Sequence, residues 1–149
     1  MTAVPRSTFV ASFPPDAEFD RPAGAGFARA LERGLRDRGF TAAEFDNWRD
    51  CGWVVHASIG DRRSEVHFSG YGEANPPVWL LAAAPLDKPG ALARLFGRKP
   101  AAVDAELQSL ASVLHELRSA HPAVSNVRWA VGGPPQGPDA CASPRELEW

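Results

Sequence analysis

Alternation with period two opens the chain. Over residues 7–13, Phe9, Ala11 and Phe13 fall on one side and Val10 and Ser12 on the other, which predicts a half-buried strand. Prolines at both ends of residues 14–22 bound an acidic loop. The period then changes to that of a helix: Phe27, Ala30, Leu31, Gly34 and Leu35 share one stripe over residues 24–38, and Gly39 stands where a left-handed residue would end it. Gly34 within the stripe costs about 1 kcal/mol relative to alanine, and it is expected to let the helix sit close to a sheet. Alternation returns at residues 53–59, where Trp53, Val55, Ala57 and Ile59 oppose Val54, His56 and Ser58. Gly60-Asp61 predicts a two-residue hairpin turn. The return strand has Val66 and Phe68 on one face and Glu65, His67, Ser69 and Tyr71 on the other.

The second half is less even. Residues 78–84, VWLLAAA, are nearly all apolar and read as a central strand. Residues 89–99 carry Leu92, Leu95 and Phe96 beside Arg94, Arg98 and Lys99, as in a short helix or turn. Residues 101–120 give the clearest helix, with Val103, Leu107, Leu110, Leu114 and Leu117 at steps of four, three, four and three; Arg118 near its end suits the helix dipole. Residues 124–131 form a last strand. The expected order is β-α-β-β-β-α-β. It implies an α+β two-layer sandwich, with a mainly antiparallel sheet of about five strands and two helices on one face. Residues 1–131 form one domain; residues 132–149 are a Gly/Pro-rich extension packed on it or trailing from it.

Composition narrows the function classes. At 149 residues, 44% hydrophobic and 23% charged, the chain can bury a core. A net charge of −2 argues against a nucleic-acid partner. Two cysteines, Cys51 and Cys141, are too few for a disulfide scaffold and lack metal spacing. No secretory leader and no membrane-spanning run is evident, so a cytoplasmic protein without a membrane partner is expected.

Candidate chemistry is sparse. In a Gly60-Asp61 hairpin, His56 stands across from Glu65 with His67 diagonal. Two imidazoles and a carboxylate on one sheet face could hold a transition metal or serve a small-ligand protein or enzyme; the simpler reading is a solvated polar face, with no metal and no cofactor. Cys51 before Gly52 could be a nucleophile only with a base nearby. His56 lies about 15 Å further along the strand, so a small buried thiol is expected. No catalytic residue is assigned.

The aromatics and acids say more. Trp53 and Trp129 are in phase with core positions. Trp79 is out of phase with Val78, Leu80 and Ala82, and is expected on the face away from the helices beside Tyr71. Asp46, Trp48 and Asp50 are expected to form a rim where Gly52 bends the chain. Asp46, Trp48, Asp50, Tyr71, Glu73 and Trp79 together have the acid–aromatic composition of a protein-binding patch, unless the extension folds over that face.

The helix ending in Gly39-Phe40, the acidic linker, and Asp50, Gly52 and Trp53 opening a meander are similar to a pattern in small bacterial α+β proteins that resemble single-domain toxin-immunity proteins. The match covers roughly the first half of the chain. It implies a non-enzymatic inhibitor that binds a protein partner, a cognate toxin.

Overall fold

The structure, a computed structural model, describes residues 4–14, 23–48, 51–60, 62–86, 101–131, 135 and 140–147. The α+β class is as expected, with more strands than the alternation predicts. The elements are β1 (Pro5–Ala11), α1 (Ala25–Asp37), β2 (Thr41–Ala42), β3 (Asp46–Trp48), β4 (Gly52–Ile59), β5 (Arg62–Gly70), β6 (Val78–Pro85), α2 (Ala101–Ser119) and β7 (Val124–Val131). All pairings are antiparallel, in the order β2-β4-β5-β6-β1-β7, with β3 also on β4. The two added strands, β2 and β3, are successive pieces of one edge segment along β4, linked by Ala43 N–H donating to His56 O at 3.0 Å. Two and three residues are too few to show a period, so side-chain contacts must hold them. Arg36 of α1 donates to Ala42 O at 2.7 and 2.9 Å. Glu32 pairs with Arg36 at 2.8 Å and accepts from Phe45 N–H at 3.3 Å.

The β4–β5 hairpin follows the expected register: Ile59 faces Arg62 across Gly60-Asp61, and His56 faces Glu65. Gly60 takes the positive φ, 56°, that such a turn requires. Helix α1 ends at Gly39 (φ 88°), where Phe40 N–H reaches Leu35 O and Gly39 N–H reaches Arg36 O, the Schellman pattern. Gly34 serves helix–helix rather than helix–sheet contact, since a Cβ there would meet the Leu117 side chain of α2. Gly52 also has a different role from the expected bend. It lies inside β4, and a Cβ would run into the carbonyl oxygen of Phe68 and come within 2.8 Å of Ser69 Cβ.

Both helices cover one face of the sheet. Phe9, Trp53, Val55, Val66, Phe68, Leu81 and Trp129 point into this layer, under Phe27, Leu31 and Leu35 of α1 and Leu110 and Leu114 of α2. Trp53 is 1% exposed; its Nε1–H donates to Ala23 O at 3.0 Å and its ring meets Phe45 edge-on. Trp53→Ala should therefore cost about 3–5 kcal/mol, read from urea denaturation. A midpoint close to that of the wild type would show that Trp53 does not carry the core.

Candidate functional site

The side of the sheet away from the helices is built by the opposite parity of each strand. Register aligns Val54, His67, Ala82, Arg6 and Ala130 in one row across β4, β5, β6, β1 and β7. Gly52, Ser69, Leu80, Thr8 and Arg128 form the next row. Val10, Val78 and Ala84 extend the apolar part, all partly exposed. Residues 141–146 of the extension lie elsewhere than over this face. Cys141 pairs with Trp129 along the free edge of β7, with hydrogen bonds of 2.8 and 2.9 Å, and the 3-10 turn Pro144–Glu146 packs on α2.

The expected patch is partly assembled. Asp46 is exposed at the start of β3, its carboxylate accepting from Asn47 N–H at 2.7 Å. Trp48 pairs with Gly52, which pairs with Ser69, so the end of β3 and Tyr71 after β5 share one end of the sheet. Tyr71 is half-buried, with its N–H on Val78 O, and Glu73 is exposed in the following loop. Asp50 lies outside the described residues, as do Arg94, Arg98, Lys99 and the acids Asp16, Glu18 and Asp20.

Trp79 is a correction. It is 7% exposed on the helix side, its Nε1–H donates to Ala11 O at 3.0 Å, and its ring meets Phe13 edge-on. Its pairing with Phe9 of β1 fixes this parity, so it cannot meet a partner without unfolding. Cys51 is a second correction: it is exposed, not buried.

Glu65 sits between two imidazoles. His67 Nε2–H donates to one carboxylate oxygen at 2.8 Å, and His56 Nδ1 stands 3.6 Å from the other. Each carboxylate oxygen is turned to one histidine, and no group of three His, Cys, Asp or Glu among the described residues is arranged to hold a metal ion.

Two residues on the helix side had no signal in the sequence. Arg118, read from the sequence only as a helix-end cation that suits the dipole, is fully buried. Its guanidinium lies 4.7 Å from the Trp129 ring and 5.2 Å from that of Phe9; Nε donates weakly to Leu114 O, and neither terminal nitrogen has a hydrogen-bond partner among the described residues. Burial pulls its pKa down to about 9, so it remains charged at neutral pH. One turn earlier, His115 Nδ1 accepts the Trp129 indole N–H at 3.1 Å. An indole nitrogen only donates, so His115 is neutral with its proton on Nε2. Burial, with Arg118 next, lowers its pKa. His115 also lines a shallow groove of about 260 Å³ with Ser112, Glu116, Ser143, Pro144 and Arg145. Comparison with protein-family models, characterised proteins and solved structures returns no match, so function is read from this geometry.

Two outcomes follow from the buried cation and its neighbour. Cation–π contact with two rings contributes about 2 kcal/mol when desolvated, whereas burying a charge with unmet donors costs several. Arg118→Met should thus leave stability unchanged or raise it by about 1–4 kcal/mol, while Arg118→Ala, which leaves a cavity, should lower it. Equal losses in both variants would mean that the guanidinium is well paired in solution. For His115 the folded pKa lies below the unfolded 6.5, so the unfolded chain binds more protons in that range. Its contribution is complete above pH 6.5 and falls away as pH drops through the folded value. His115→Gln should flatten the stability profile below pH 6.5; an unchanged slope would show that His115 does not titrate against Trp129.

Proposed function

We propose that this chain is a non-enzymatic protein-binding module, that it docks its partner on the uncovered sheet face, and that it acts as an immunity-type inhibitor of a bacterial toxin. The observation that carries the reading is the contrast between the two faces. Among the described residues, both helices and the 3-10 turn lie on one side, while Val10, Val78, Leu80, Ala82 and Ala84, all partly exposed, form a continuous apolar strip on the other. An antiparallel sheet with one solvated face ordinarily turns polar residues outward, and an uncovered apolar strip is the mark of an interaction surface. Tyr71, whose N–H donates to Val78 O, adjoins this strip, Glu73 follows it in the loop, and Asp46 and Trp48 lie on the far edge strand β3. The toxin as partner rests on the similarity of the Gly39-Phe40 and Asp50, Gly52, Trp53 pattern to that of the immunity-like proteins.

The test is co-purification with the natural partner. Leu80→Arg should remove the complex without lowering the melting temperature. Tyr71→Ala should speed dissociation, and neutralising Asp46 and Glu73 should mainly slow association, less so at high salt. Co-expression with the toxin should restore growth for the wild type and not for Leu80→Arg. A partner that stays bound to Leu80→Arg would move the interface elsewhere; one that is not a toxin would remove the inhibitor role.

A further inference from the structure

Charge on the open face is not spread evenly. On the half made by β6, β1 and β7, the outward residues are Val78, Leu80, Ala82 and Ala84, then Arg6, Thr8 and Val10, then Ser125, Arg128 and Ala130. That set holds two arginines and no acid, although the whole chain carries a net charge of −2. Neither Arg6 nor Arg128 has an ion-pair partner among the described residues. Of the described acids of this side, Asp46 is on the far edge, Glu73 is in a loop, and Glu65, directly across from Ala84, is engaged by His56 and His67. Arg6 pairs with Ala130, and Arg128 pairs with Thr8, so the arginines are diagonal neighbours. Their backbones are then about 7–8 Å apart. Two carboxylates at adjacent turns of a helix, or at i and i+2 of a strand, have a comparable spacing. Ala82, flanked by His67 and Arg6, has a side chain too short to fill its row, and leaves a trough about 10 Å wide between the flanking strands.

We infer that the β6–β1–β7 half of the open face receives an acidic protein segment, with carboxylates on Arg6 and Arg128 and apolar side chains on Leu80, Ala82 and Ala84. The inference rests on the docking face proposed above and adds the chemistry of what docks there. Nucleic acid is the poorer fit. Two arginines on an apolar floor neutralise few phosphates, and the chain as a whole repels a polyanion. Arginine suits the task because its planar fork grips a carboxylate with two parallel hydrogen bonds.

The experiment uses the full chain, isotope-labelled, and three helical peptides of one apolar design. The peptides carry Glu, Gln or Lys at i,i+4 pairs beside a leucine face; a single-stranded oligonucleotide is the fourth probe. Amide shift changes should centre on β6, β1 and β7. The Glu peptide should bind about fivefold tighter than the Gln peptide at low salt, as expected for two exposed charge pairs, and the gap should narrow at high salt. Arg6→Gln with Arg128→Gln should erase the preference while leaving Gln-peptide binding intact. Ala82→Tyr, which fills the trough without changing charge, should weaken both peptides. If Ala82→Tyr weakens them and the double variant keeps the Glu preference, the acidic partner is wrong and the docking face stands. If Ala82→Tyr changes nothing and shifts fall elsewhere, the docking face itself is wrong. Tighter binding of the Lys peptide or of the oligonucleotide than of the Glu peptide would also overturn the inference.

Discussion

Trp79, Leu81 and Ala83 of the central strand pack beneath the helices, between Phe9 and Ser7 of β1 and Phe68 and Val66 of β5. Everything else about the two faces depends on that parity. A strand has only two choices, and slipping by one residue exchanges every side chain. With Trp79 inward, its indole N–H satisfies Ala11 O and its ring joins Phe9, Phe13, Phe27 and Phe68 in one aromatic cluster. The same choice turns Val78, Leu80, Ala82 and Ala84 outward. The apolar strip, which no described residue covers, is therefore the other side of a well-packed core.

The edge strands are secured differently at the two ends of the sheet. At the β2–β3 end, α1 reaches over with Glu32 and Arg36 to fix backbone groups that so short a segment could not fix alone. At the β7 end, Cys141 caps the strand edge, and edge pairing of this kind blocks association with another sheet. Trp129 links this edge to α2 through His115 and Arg118. A charged group with unmet donors beneath this junction makes it the least comfortable part of the core, and pH and substitution act there most directly.

Much of the architecture was legible in the sequence. Both helices, the β4–β5 hairpin and its His56–Glu65 register follow from periodicity and one Gly-Asp turn. Burial of Trp53 and Trp129 follows from phase. The failures share a cause: local pattern carried no phase information, or the wrong kind. VWLLAAA is apolar at every position, so only Phe9 across the sheet could decide which way Trp79 points. Segment 41–48 has no period because α1 side chains hold it in place. Arg118 looked like an ordinary helix-end cation, and its burial depends on Phe9 and Trp129, distant in sequence. For the candidate surface, the sequence pointed to acids and aromatics at the β3 end, while the outward arginines of β1 and β7 became visible only once the strands were aligned.

The account stands on the outward parity of β6 being open to solvent. Methyl relaxation in the presence of a soluble paramagnetic agent measures this directly. The methyls of Val10, Val78 and Leu80 should be strongly attenuated, and those of Val55, Val66 and Leu81 should be spared. If Leu80 is protected as fully as Leu81, that face is covered in the free protein, and the docking surface lies somewhere else.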